Sequence, residues 1–379
     1  MLYYITSGES HGKAVIAVIS GFPAGYMIDV EAMNVDLSLR QGGYGRGARQ
    51  KIESDNVEIL SGVRRGKTLG SPITLAIFNK DVRIDNIEEE NVPRPGHAEF
   101  AGAIKFGTHN VRDISERASA RETAARVAAG SLAKQFLSRL GVETLGFVRS
   151  IGNARWTGEI ESIVQEKELR NSSEVYCPDK KASDEMVKAI DEAGKTGDTL
   201  GGIVEVRASG VIPGLGSCMN WDERLDGNLA RAVMSINSVK GFETGKGFKL
   251  AEAKGKDTAD PIACKEEGIL RTSNNAGGIE GGMTNGEDII IRAAFKPIPT
   301  TNPPAASIDI LTGKEASRDW ERSDICAVPA GAIIAEAVVS FELMREYCRK
   351  FGGDGADELK SNLDSYRDKA GKFLKKVKK

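Results

Sequence analysis

Three histidines occur in the chain. His97 and His109 fall in the stretch 93-PRPGHAEFAGAIKFGTHNVRDISERASARE-122, and His11 sits in 8-GESHG-12. Imidazole titrates near neutral pH and can give or take a proton. Arg94, Arg112, Arg117 and Arg121 stand in the longer stretch, with Arg126 just beyond. A guanidinium is a planar fork that matches phosphate or carboxylate. A second group, 40-RQGGYGRGARQK-51, interleaves glycines with Arg40, Arg46, Arg49 and Lys51, so backbone and forks can close around an anion. Together these residues point to an anionic ligand with acid/base chemistry beside it. The plainer alternatives are a capped helix with solvated arginines, a surface loop and a turn with an exposed histidine.

The elements that must hold these residues follow from pattern. Ser119 and Glu122 have the spacing of a capping box, in which Glu122 reaches back to the cap. The spacing predicts a helix over 120–140 with Val127, Leu132, Phe136 and Leu140 near one face, stopped by Gly141. Such a helix start is itself an anion site. Residues 2–6, 13–23 (ending in a Gly/Pro turn), 71–81, 142–154, 200–212 and 288–295 read as strands. Helices are expected at 29–39, about 182–194, 223–236 and 329–350, the last with Ile333, Ala337, Phe341 and Met344 on one face and Asp324 near its start. Residues 155–200 are polar and offer no nameable chemistry. GESHG fits the G-x-S-x-G of a serine hydrolase, with Ser10 as nucleophile, but that motif needs a helix after the turn and a strand-like run follows. Two P-loop look-alikes, at 62–68 and 189–196, lack the required spacing or glycine.

Composition sets outer bounds. The chain has 379 residues, with 52 lysines and arginines against 54 aspartates and glutamates. This balance gives no bulk attraction to nucleic acid or anionic membrane, although an RNA- or nucleotide-binding protein using the arginines of 40–51 stays open. Five scattered cysteines without C-x-x-C spacing fit a reducing compartment. Without a signal-like N-terminus or a membrane-length apolar run, the expectation is a soluble, cytoplasmic protein. One domain of layered strands and helices is the economical reading: a unit over 1–350, then a basic tail over 351–379, helical or frayed.

Eight motifs in order carry a resemblance: GESHG at 8–12, RQGGYGRGAR at 40–49, RPGHAEF at 94–100, ERASARETAARVAAG at 116–130, NSVKG at 237–241, NAGGIEGG at 275–282, KPIPT at 296–300 and ERSD at 321–324. Together they resemble the chorismate synthase family over nearly the whole chain. The resemblance implies an α+β fold, a layered β-α-β sandwich with antiparallel sheets around central helices. It implies a lyase that eliminates phosphate from 5-enolpyruvylshikimate 3-phosphate to give chorismate, requiring reduced FMN without net redox change. It implies a homotetramer served by an external flavin reductase, with NADPH acting only indirectly, because no added reductase domain is evident.

By motif, His11 is expected as an acid near the departing phosphate, His97 beside the flavin, and Asp324 as an aid to proton movement. Ser10, Arg40, Arg46, Arg49 and Arg121 are expected on the substrate. Arg117, Ala118, Ser119, Asn237, Ser238, Gly281, Lys296, Pro297, Ile298, Pro299, Thr300 and Arg322 are expected on the flavin. His109 falls outside the motifs and reads as a surface residue. Ala118, Ile298 and Ser323 depart from the residues common in the family, which puts individual contacts in question.

Overall fold

In 14-AVIAVIS-20, Val15, Ala17 and Ile19 are fully buried while the residues between them are half-covered. That period of two belongs to a sheet with one face on the core. The structure, a computed structural model, describes residues 1–47, 53–265, 268–318 and 323–377. Its main strands form two antiparallel sheets. The first holds β1 (Tyr3–Ser7), β2 (Ala14–Ser20), β3 (Glu58–Ser61) and β4 (Ile73–Phe78), in spatial order β1-β2-β4-β3. The second holds β5 (Glu143–Ile151), β6 (Ala154–Arg155), β7 (Gly202–Ser209), β8 (Val239–Thr244) and β9 (Ile289–Phe295), in order β8-β9-β7-β5-β6.

The helices are α1 (Val30–Gln41), α2 (Glu99–Phe106), α3 (Val111–Ala118), α4 (Thr123–Arg139), α5 (Ile163–Ser172), α6 (Lys180–Thr196), α7 (Leu225–Met234), the single turn α8 (Gly255–Thr258), α9 (Val328–Phe351) and α10 (Ala356–Val377). Helices α4 and α9 pack together as the middle layer. α4 faces β2 and β4 of the first sheet, and α9 faces β5 and β7 of the second. This is the expected layered β-α-β sandwich. One apolar cluster runs through both sheets and these helices. The basic tail docks on it as α10, through Ala356, Leu359 and Leu363.

Two local expectations need correcting. The capping box does not close: Ser119 Oγ accepts the Arg121 N–H at 3.2 Å, but the Glu122 carboxylate takes Arg126 Nε at 3.0 Å and the Thr6 hydroxyl at 2.6 Å. A 3-10 turn over Ala120–Glu122 intervenes, and α4 starts only at Thr123. Helix α9 is buried on every side from Val328 to Met344 rather than along one face, as befits a helix between two layers.

Its buried Glu336 accepts from Lys134 Nζ, Arg170 Nη1 and the Gly146 N–H at 3.0–3.1 Å, and Lys134 also reaches Asp36 at 2.6 Å. Burial alone would raise the Glu336 carboxyl, but Lys134 and Arg170 hold it well below the usual range. Helix α5, unforeseen in the polar 155–200 region, is anchored by this fully buried Arg170.

Glycine lets the central helices touch. A Cβ on Gly130 would lie 2.3 Å from the Ala337 carbonyl oxygen across the α4–α9 contact. Gly130→Ala gains about 1 kcal/mol of helix propensity, yet the backbone clash costs about 1–3 kcal/mol. A lower urea midpoint at unchanged slope is expected; an unchanged midpoint would show that the helices part freely.

Candidate active site

The β1–β2 turn carries His11. Gly8 has φ +98, and a Cβ there would lie 2.1 Å from the Ala14 carbonyl oxygen, so the turn admits only glycine. The Asn79 amide, just past β4, donates to the carbonyls of Glu9, Ser10 and Gly12 at 3.3, 3.2 and 2.7 Å. The last turn of α3 clamps the other side. Its Glu116 carbonyl accepts the Ser10 N–H, and Arg117 donates to the Thr6 and Gly8 carbonyls. His11 Nδ1 lies 2.7 Å from Glu116 Oε1, and Nε2 lies 3.6 Å from Asp81 Oδ2. Ser10 is buried, and β2 rather than a helix follows it, so no nucleophile elbow forms.

Asn79 joins this turn to a buried arginine pair. Its Oδ1 accepts from Arg121 Nε at 2.7 Å. Asp55 then bridges Arg121 Nη1 at 2.6 Å and Arg40 Nη1 at 3.3 Å. Arg40 also donates to Thr123 Oγ1 and the Ala120 carbonyl. Burial pushes Arg40 down to about 10, with Asp55 pulling the other way, so it stays charged at neutral pH. Arg121 Nη2 is buried without a hydrogen-bond partner, with Glu53 Oε2 3.9 Å away.

The glycine-rich loop folds back on the segment before α9. Arg46 Nη1 meets Asp324 Oδ2 at 2.7 Å, and the Gly47 N–H donates to Asp324 Oδ1 at 2.7 Å. Asp324 therefore faces this loop and not the start of α9. The charges of Arg46 and Asp324 are felt at Arg40, so the two clusters adjoin. Arg40 and Arg46 are both covered and ion-paired. Arg49, Lys51 and Arg322 lie outside the described residues.

A third group centres on His97. Lys296 Nζ donates to the Gly96 carbonyl at 3.0 Å, and a Cβ on Gly96 would come within 3.3 Å of Pro299. The Lys296 N–H bonds the Ser238 carbonyl, and the Asn237 amide bonds the Ala118 carbonyl, both at 2.9 Å. Ala118, Asn237, Ser238, Lys296 and His97 thus run in series from the end of α3. Ser238 holds φ +67, a left-handed conformation that costs a serine of order 1 kcal/mol. The Ile298 carbonyl accepts the Thr199 hydroxyl. Pro299 and Thr300 line a crevice with Pro93, Arg94 and Arg318.

His97 Nδ1 is buried without a hydrogen bond, 3.5 Å from Glu99 Oε1. Burial, then the charges of Arg94, Arg318 and Lys296, push this ring down to about 4 against the pull of Glu99. The ring is neutral at pH 7. Glu99 pairs with Arg94 and, at 3.0 Å, with Arg318.

Gly281 is not brought to this group. It lies on a hairpin beside the start of α7, where the Gly282 carbonyl accepts the Leu225 N–H. The ten residues of α7, about 15 Å long, separate Leu225 from the turn that holds Asn237. His109 is exposed, as expected. Glu116, Asp81, Asn79, Asp55 and Glu99 were not singled out from sequence. The one available signal was that Asn79 and Asp81 directly follow a buried strand.

The fold and these grouped histidines, carboxylates and arginines define a layered α+β enzyme with anion-handling and proton-handling side chains. The family model described as chorismate synthase matches residues 2–348. A chorismate synthase of Symbiobacterium thermophilum is 48% identical, covering 96% of this chain and 98% of its own. One from Geobacter sulfurreducens is 48% identical, covering 97% and 98%. A crystal structure of a chorismate synthase superposes with a TM-score of 0.80 at 38% identity, covering 96% of this chain and 97% of that one. The chain belongs to the chorismate synthase family, and so to the lyases.

Proposed function

We propose that the chain converts 5-enolpyruvylshikimate 3-phosphate to chorismate and phosphate by 1,4-elimination, with reduced FMN as cofactor. The observation that carries this reading is the continuous polar network from the β1–β2 turn that carries His11, through Asn79 and Arg121, to Asp55 and Arg40. It sets an acid/base ring beside cations suited to phosphate and carboxylates. His11 protonates the departing phosphate, and Arg46, Arg49 and Arg121 hold the anionic groups while Arg40 supports them and Ser10 shapes the turn. Asp324 assists proton movement.

The residues fit a flavin. His97 Nδ1 is a buried polar atom in want of a partner, and Lys296 supplies a cation close by. Arg117, Ala118, Ser119, Asn237, Ser238 and the 296–300 loop would hold it, together with Arg322, whereas Gly281 stands apart from them. Reduced FMN, when bound, supplies transient electron density for C–O cleavage and recovers it, so no net oxidation results. The neutral His97 ring offers one N–H and one lone pair toward that site.

The reading carries a catalytic unit over 1–350 and a cytoplasmic homotetramer. An external reductase supplies the reduced flavin, and NADPH enters only there. Among the described residues no helix is long and apolar enough to cross a membrane. The test is an anaerobic assay with chemically reduced FMN, following chorismate and phosphate together. Equal release of both, and none with oxidised FMN, is expected. A folded, flavin-bound protein without turnover would overturn the reading.

A further inference from the structure

Glu116 meets the β1–β2 turn at three points. Its carbonyl accepts the Ser10 N–H at 3.0 Å, its Oε2 accepts the His11 N–H at 2.7 Å, and its Oε1 lies 2.7 Å from His11 Nδ1. The neighbouring residues of α3 are tied down as well, Arg117 to Thr6 and Gly8 and Ala118 to Asn237. Glu116 is buried and the His11 side chain is only 16% exposed. The contact is therefore part of a fixed scaffold and not a mobile surface pair, for which little energy or order would be expected.

A carboxylate oxygen accepts, so the ring nitrogen facing it is the one that carries hydrogen. Nε2 is left as the corner that exchanges a proton. The opposite flank holds Asp81, whose carboxylate is kept in place by Arg83 Nε at 3.1 Å and whose N–H bonds Glu53.

We propose that Glu116 is a positioning residue for the elimination. It fixes the plane and tautomer of His11 so that Nε2 delivers the proton to the departing phosphate oxygen. This rests on the elimination reading above. As the C–O bond breaks, the Nε2–H proton passes to phosphate, and the ring keeps its Nδ1 hydrogen against Glu116. The C–O electron pair leaves with phosphate, the pair of the broken C–H bond enters the new double-bond system, and its proton is released to solvent, from which Nε2 is reprotonated before the next turnover.

Glutamine separates this role from bulk. Its amide can accept at only one of the two contacts, so either the His11 N–H loses its acceptor or an NH2 faces Nδ1 and imposes the opposite tautomer. The experiment is a double-mutant cycle of Glu116→Gln with His11→Ala, read as kcat and KM with reduced FMN. Glu116→Gln alone should lower kcat about tenfold or more with KM within about twofold, and in the His11→Ala background should lower it less than about twofold. An equal loss in both backgrounds would show a structural role only and overturn the proposal. Unchanged kcat in Glu116→Gln alone would do the same. Full turnover by His11→Ala would remove the acid assignment itself, and with it the proposal. Should Glu116→Gln not fold, Glu116→Asp keeps the charge but shortens the reach, and is read in the same two backgrounds against the same outcomes.

Discussion

Replacing Asp55 by alanine should destabilise the protein by about 3–5 kcal/mol, the cost of leaving a buried charge without its partner. The Asp55 carboxylate is fully buried between Arg121 at 2.6 Å and Arg40 at 3.3 Å. Neither guanidinium can shed its proton at neutral pH. Burial already presses on Arg40, and Asp55 is the strongest charge opposing it. Glu53, 3.9 Å from Arg121 Nη2, can compensate Arg121 in part, but among the described residues no other carboxylate pairs with Arg40, and Asp324 acts on it only from a distance. The loss should reach the site as well. Arg40 also holds the Ala120 carbonyl and the Thr123 hydroxyl, so the turn that leads into α4 would loosen and take Arg121 with it. Urea unfolding and turnover check this together. Asp55→Asn keeps one acceptor and should lose less. An alanine variant with the wild-type midpoint would mean that both guanidiniums find water, and that the network is not closed.

Much of the scaffold was legible because strands and helices announce themselves by period. The alternation in 14–20 and 289–295 and the long apolar run of 328–351 need no tertiary information. What stayed hidden was whatever depends on a distant partner. Arg170 reads as a surface residue in a polar helix, yet it is fully buried because Glu336 waits for it 166 positions later. The capping box at Ser119 fails because Thr6 and Arg126 compete for Glu122.

The same division holds at the site. His11, His97, Arg46 and Asp324 were visible through motifs. The groups that orient them were not, since Glu116 and His11 are 105 residues apart and a glutamate in a charged helix carries no mark of its task. The family resemblance supplied the layer order, which no local pattern contains.

Replacing His97 by alanine should lower turnover about a hundredfold or more if the ring takes part in proton transfer, and His97→Gln should expose the physical reason. The wild-type ring is pushed from 6.5 to about 4 by burial and then by Arg94, with Arg318 and Lys296 adding to it. An unfolded chain therefore binds a proton at this residue between those values, while the folded chain does not. Stability contributed by the neutral ring is complete above about pH 6.5 and is lost as pH falls toward 4. The span is worth about 3 kcal/mol. Glutamine cannot titrate, so the stability of His97→Gln relative to wild type should improve steadily from pH 7 to pH 4. Urea midpoints of both proteins across that range measure it, and the carboxylates common to both cancel in the difference. Parallel curves would place a charged ring in the folded protein at pH 5. Such a ring would still be mostly neutral at pH 7, so a loss of turnover in His97→Ala would then not depend on the burial that lowers its value.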